Sequence, residues 1–287
     1  MKNRYTLICI IGLGLLLQSC IQEVAVDLPA YRQRMVLNGL ISDKDSTKIQ
    51  LSTSIASTDT NNINFITNAS VQLYDENNNL FDILTYKTFS GGFVGTKPVL
   101  KNVTYTVKVN SGGKELSAST RISSGTQVYN FNYKDSIGLD TSGFPLGSVS
   151  FSFNDIAGQD NFYRLNLEYY DNVKKEFSAL DLSDNEFIDA EGELTSKGVL
   201  FDDESFRGQA KTIEVDVPFG FVTNGGDFLF RVSLEALNQD YTLYEKSRKL
   251  YNSSFGGFFT EPVDLYSNIK SGLGVFGGVA VSRDTLK

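Results

Sequence analysis

The side chains that could carry acid–base chemistry in this 287-residue chain are carboxylates, since 34 Asp and Glu stand beside no histidine and only two cysteines. Two carboxylates are enough to cleave a glycosidic bond, one as acid and the other as base or nucleophile. The densest set is Asp202, Asp203 and Glu204, preceded by Asp184, Glu186, Asp189, Glu191 and Glu193. Neighbouring residues of a strand point to opposite faces, so Asp202 and Asp203 do not naturally converge on one substrate. A solvated acidic loop accounts for the set more simply. The same oxygens could hold calcium, but no D-x-D-x-D-G-like ligand spacing occurs and no metal is expected. Without histidine there is no Ser-His-Asp or Cys-His catalysis, no imidazole metal site and no His-based switch near neutral pH. The sequence therefore assigns no catalytic, cofactor-binding or metal-binding residue and predicts a non-enzyme.

Both cysteines, Cys9 and Cys20, fall in the first 20 residues, which leaves the folded part without an internal disulfide or a cysteine-ligated zinc. Lys2 and Arg4 precede a weakly polar to apolar run from Leu7 to Leu17, the charged and hydrophobic regions of a secretory signal. At about 11 residues the run is too short for a spanning helix, which needs about 20. Leu17-Gln18-Ser19-Cys20 resembles the bacterial lipobox, in which the cysteine is acylated and becomes the new N-terminus. Cys20 is thus the predicted lipidation site, with 1–19 as signal peptide. A diacylglycerol and an N-acyl chain together give stable anchoring to the bilayer without crossing it. Ile21 is not the aspartate that retains some lipoproteins at the inner membrane, so the expected place is the outer membrane, with the cell surface favoured over the periplasmic face by Glu23 and Asp27. Loss of Lys2 and Arg4 leaves 24 basic against 34 acidic residues, a net charge of −10. Such a body lacks the basic footprint that nucleic acid requires.

The elements that must position these residues read as strands. After a tether over 20–33, alternation with a period of two marks Met35 to Ile41, Lys48 to Thr53, Ala69 to Tyr74, Phe81 to Tyr86, Tyr105 to Val109 and Leu116 to Thr120. Turn formers such as Asp75-Glu76-Asn77-Asn78-Asn79 and Asn110-Ser111-Gly112-Gly113 separate them. This predicts a β-sandwich domain over 34–125 that looks immunoglobulin-like or carboxypeptidase-regulatory-like. The Gly/Ser/Thr-rich stretch Ser123 to Gln127 is the expected boundary. Beyond it, Val149/Phe151/Phe153, Tyr163/Leu165/Leu167/Tyr169, Ile213/Val215/Val217 and Phe228/Phe230/Val232/Leu234 predict a larger antiparallel β domain over 126–287.

One segment has helical spacing. Tyr241, Tyr244, Arg248 and Tyr251 recur every three to four residues, which predicts a helix near 240–252 with Asp240 as N-cap, a Glu245–Lys249 pair, and Gly256-Gly257 past its end. The tyrosine stripe is either a stacking platform for a sugar or peptide or the face that packs on a sheet.

Four blocks carry a family resemblance: Asp155 to Arg164, Leu200 to Gly208, the helix around Asp240 to Tyr244, and Glu261 to Ile269 running on to Gly272 to Gly278. After a lipobox and a β-sandwich they resemble the Gram-negative outer-membrane lipoproteins grouped as domain of unknown function 4249. The resemblance implies company as well as place, because members are typically encoded beside TonB-dependent outer-membrane receptors. It carries no catalytic residues. The residues themselves give these blocks structural work: Asp155 to Asp160 is a loop whose carboxylates accept backbone N–H bonds, and the glycines of Gly272 to Gly278 suit a strand that approaches another element closely or bulges.

The expectation is a non-enzymatic accessory of a TonB-dependent receptor, capturing ligand or scaffolding the complex. The alternatives are a carboxylate-dependent hydrolase of surface polysaccharide and a structural or adhesive surface module. Asp45-Ser46-Thr47, Asp135-Ser136-Ile137 and Asp284-Thr285-Leu286 also resemble the Asp-Ser/Thr-apolar sites at which some Gram-negative bacteria O-glycosylate exported proteins, at Ser46, Ser136 and Thr285.

Overall fold

A computed structural model of the chain describes residues 31–56, 63–122, 124–140, 142–171, 174–182, 187, 192–195, 198–218, 230–254 and 263–286, the side chains of Asp135 and Pro218 excepted. The predicted signal segment, Cys20, most of the predicted tether, Gly256-Gly257, and Asp184, Glu186, Asp189 and Glu191 lie outside these residues.

Alternating burial defines the first strands. In β1 (Met35–Ser42) Met35, Leu37 and Ile41 face inward and Asn38 faces out; in β2 (Lys48–Thr53) Ile49 and Leu51 are buried. β3 (Ser70–Tyr74), β4 (Leu80–Lys87), β5 (Gly92–Val94), β6 (Thr104–Ser111) and β7 (Lys114–Arg121) complete the first half. The second half contains β8 (Val128–Leu139), β9 (Pro145–Asn154), β10 (Phe162–Asp171), β11 (Glu176–Ala179), β12 (Glu193–Thr195), β13 (Gly198–Asp202), β14 (Ala210–Pro218) and β15 (Phe230–Leu237). Helix α1 (Gln239–Ser254) and β16 (Leu273–Leu286) follow, so the protein is mainly β with one long helix among the described residues.

Thirteen strands form one mixed sheet in the order β12-β13-β10-β15-β16-β1-β2-β5-β4-β3-β6-β7, with β11 paired to β10. Within it β1 and β16 run parallel, with Val36 opposite Leu273 and Ser42 opposite Val279. The sheet curls, and β7 returns toward the start of β16 through paired backbone bonds between Ser117 and Lys270. A three-stranded sheet, β14-β9-β8, lies against the second half. Its inward residues Val149, Phe151, Phe153, Ile213, Val215 and Val217 join Leu165, Val232 and Leu234 of the large sheet in one buried cluster, which also takes in Leu37, Val71 and Val107 of the first half. Phe153 meets Tyr163 edge-on at 5.0 Å, an arrangement that favours aromatic quadrupoles as well as burying area.

The Gly/Ser/Thr-rich stretch does fall between β7 and β8, but the contacts do not part there. Gln33–Lys287 forms one compact unit, distinct from Met1–Arg32. The physical reason is topological: the last strand of the second half pairs with the first strand of the first, and the two halves share a core.

Candidate functional site

Asp202 and Asp203 do not converge. Asp202 ends β13 exposed, and its Oδ1 accepts the Glu204 N–H at 3.1 Å. Asp203, in the bend just past the strand and 1% exposed, turns inward. Its Oδ2 accepts the backbone N–H of Asn161 at 2.9 Å and the Asn161 amide at 3.1 Å. Asp155, also buried, accepts from the Tyr163 hydroxyl, from the Asn161 amide at 3.1 Å and from the Gly208 N–H at 2.6 Å. Two buried carboxylates are thereby joined through one amide, and the 155–161 loop is tied to the 203–208 turn. Burial, and then the Asp155 hydrogen bond and charge, push the Tyr163 phenol well above its ordinary pKa, so it serves as a neutral donor. Of this loop's carboxylates, Asp155 accepts a backbone N–H as expected, whereas Asp160 ion-pairs Arg207 at 3.0 Å. Glu204 is exposed. Asp202 and Glu193 border a small cleft of about 210 Å³ with Glu245, Lys246 and Lys249, where Lys249 ion-pairs Glu193 at 3.0 Å.

The helix begins one residue before its expected N-terminus, and its cap differs. Asn238 Oδ1 accepts the Tyr241 N–H at 3.1 Å, which makes Asn238 the N-cap, an amide oxygen satisfying one of the first-turn donors. The same oxygen accepts the Gly278 N–H at 3.0 Å, and Nδ2 donates to Thr120 at 2.6 Å, so one side chain fastens α1, β16 and β7. Asp240 instead accepts the Tyr266 hydroxyl at 2.6 Å. The predicted Glu245–Lys249 pair is replaced: buried Glu245 pairs with Arg248 at 2.6 Å, and Lys249 reaches across to Glu193. Asn followed by a helical period is a capping signal that the sequence does contain at Asn238.

The tyrosine stripe divides between the core and the wall of a cleft. Tyr241 is 3% exposed and lies so close to β16 that a Cβ on Gly277 would stand 2.6 Å from the Tyr241 Cβ. Its hydroxyl accepts from Arg164 Nη1 at 3.1 Å. Arg164 also pairs with Glu235, directly opposite it in the β10–β15 register, through Nε at 2.8 Å and through Nη2. Burial opposes the Arg164 charge, but Glu235 and Tyr241 outweigh it and hold the pKa above the usual arginine value. Tyr241 is therefore core. Tyr244 stacks on it at 6.3 Å with the rings 7° from parallel, and it is half-buried. Burial, then the Glu245 charge, raises its phenol pKa.

Tyr244 forms the wall of a cleft of about 510 Å³ between α1 and the outer face of β16, β1, β2 and β5. Leu40 and Val275 give an apolar floor; Asn38, Lys48, Gln50 and Ser90 supply polar heads. Apolar and aromatic walls with a few polar groups are the usual make-up of small-molecule sites, and the volume is in their range of about 300–1,000 Å³. No carboxylate is among the described lining residues, so the cleft offers no acid–base pair. Among the described residues, no group of three or more His, Cys, Asp or Glu could hold a metal, and no helix is long and apolar enough to cross a membrane.

Of the glycosylation-like tripeptides, Asp45 is held by Arg283 at 2.6 and 3.1 Å beside half-buried Ser46. Thr285 and Ser136 are exposed, and Ser136 has a left-handed φ of 53°.

Fold and cleft together define a mainly β protein with a ligand-sized recess, in which Asp203, alone of the candidate carboxylates among the described residues, is buried and bonded internally. The chain belongs to the family described as Domain of unknown function (DUF4249), whose model matches residues 21–285 and so covers all four sequence blocks. A comparison with curated proteins finds no match. Among solved structures, the crystal structure of bovine butyrophilin is similar at 7% identity and a TM-score of 0.20, over 73% of this chain and 93% of that one. A superposition that loose carries no inference.

Proposed function

We propose that the protein is a lipid-anchored outer-membrane accessory of a TonB-dependent receptor that works by binding and not by catalysis. The observation that carries this reading is the contrast between the two kinds of site. Asp155 and Asp203 are consumed by internal hydrogen bonds, whereas the large cleft presents a tyrosine face and uncharged polar heads beside a single lysine. The anchor rests on Cys20, placed at the end of the apolar run of the signal segment; the family match begins at Ile21, directly after it. Company with a receptor rests on what the family resemblance implies. Affinity-tagged protein extracted from cells in mild detergent is expected to bring down one large outer-membrane β-barrel in near-equal amount. Repeated recovery as a lone monomer overturns the proposal.

A further inference from the structure

We infer that the cleft beside α1 binds a neutral oligosaccharide, with one pyranose ring lying on the outer face of Tyr244. The inference deepens the ligand-capture reading and rests on it. Tyr244 is held rigidly for such a role, because its inner face is stacked on the buried Tyr241, which is itself fixed by Arg164 and by close approach to Gly277. An aromatic ring pre-positioned in this way gives a flat apolar face that loses little conformational entropy on binding. Around it, the Tyr244 hydroxyl, the Asn38 amide, the Lys48 ammonium and the Ser90 hydroxyl have no protein partner among the described residues, and Gln50 makes one long bond, 3.4 Å to the Gly91 carbonyl. A ring with one apolar face and a rim of hydroxyls matches that set.

Other ligand chemistries match it less well. The floor strands β1 and β2 are each paired on both sides, so a peptide finds no open ladder to extend. An acidic polymer meets a chain of net charge −8 with one lysine in the cleft. A wholly apolar ligand would bury the polar heads unpaired, at a desolvation cost.

The test uses the full mature protein in detergent, screened against neutral oligosaccharides, uronic-acid oligosaccharides and short peptides, with hits followed by calorimetry. The inference expects a neutral oligosaccharide to bind, with affinity falling about three- to tenfold in Tyr244→Ala, the scale of one aromatic contact. Lys48→Ala and Gln50→Ala, on the exposed sheet face and without risk to the core, should each weaken it about three- to tenfold, as for one hydrogen bond. Unchanged binding in all three variants, binding confined to peptides or acidic glycans, or no binding at all overturns the inference. The same wild-type and Tyr244→Ala preparations are assayed for β-barrel recovery. A barrel recovered without oligosaccharide binding defeats the inference alone; failure to recover a barrel defeats the accessory reading.

Discussion

Asn161 concentrates the residue-scale logic of this protein. Its amide reaches the Ile156 carbonyl at 2.7 Å and, at 3.1 Å each, the buried carboxylates of Asp155 and Asp203, while its own N–H serves Asp203. Buried acceptors deprived of their donor are costly, more so when charged. Asn161→Ala is therefore expected to lower stability by about 2–3 kcal/mol in urea unfolding, whereas Asp202→Ala on the exposed end of β13 should stay within about 0.5 kcal/mol. That Asp202 and Asp203 face apart was legible in the sequence, although it is the bend after β13, tied to Asn161, that turns Asp203 inward. That Asn161 and Asn238 would be the organising side chains was not. An amide becomes a junction only through what folding brings against it, and their partners lie 42 residues away at Asp203 and 118 away at Thr120.

At the scale of elements, the period of two located most strands because one face of each is buried. β8 escaped, and its geometry says why: the pairing with β9 slips between Tyr129 and Asn132 and again between Lys134 and Gly138, with left-handed φ values at Asn130 and Ser136. The first slip adds one residue to β8 and shifts the alternation out of phase, and the second adds two and interrupts it again. The three residues of β5 are too few to show a period at all. The helix was legible as a helix, but not its attachment. The Tyr266 hydroxyl donates to Asp240 in its first turn, and the Tyr266 N–H reaches the Ser247 hydroxyl at 2.9 Å. Burial, followed by the Asp240 hydrogen bond and charge, pushes the Tyr266 phenol up to about 12. A folded-state pKa above the unfolded value of about 10 favours the neutral phenol in the folded state. Its contribution is therefore complete below about pH 10 and lost as pH rises toward 12. Tyr266→Phe should lower stability at pH 7 by about 1 kcal/mol, a single hydrogen bond, and flatten the loss of stability between pH 10 and 12, as followed by denaturant titrations at each pH.

For the whole molecule, the decisive contact is the most distant in sequence. β16 lies between β15 and β1, and through β1 it binds the two halves into the single compact unit Gln33–Lys287. Local patterning can show that Leu273–Leu286 is a strand tolerant of close approach, as Gly274 and Gly277 require. It cannot show that the strand inserts beside the first one, and for that reason the chain read as two domains. Removing residues 272–287 should abolish cooperative unfolding in circular dichroism and leave a protease-sensitive chain, where two separate domains would leave 34–125 resistant. The same arrangement also governs how the fold carries a mechanical load. β1 is flanked along most of its length, by β16 from Val36 to Ser42 and by β2 from Met35 to Leu40. A pull on its leading end, in line with the strand, loads both ladders in shear, so their bonds resist together. An edge strand peeled sideways yields them one after another. The first strand of the compact unit is thus seated where an in-line pull on its leading end is best resisted.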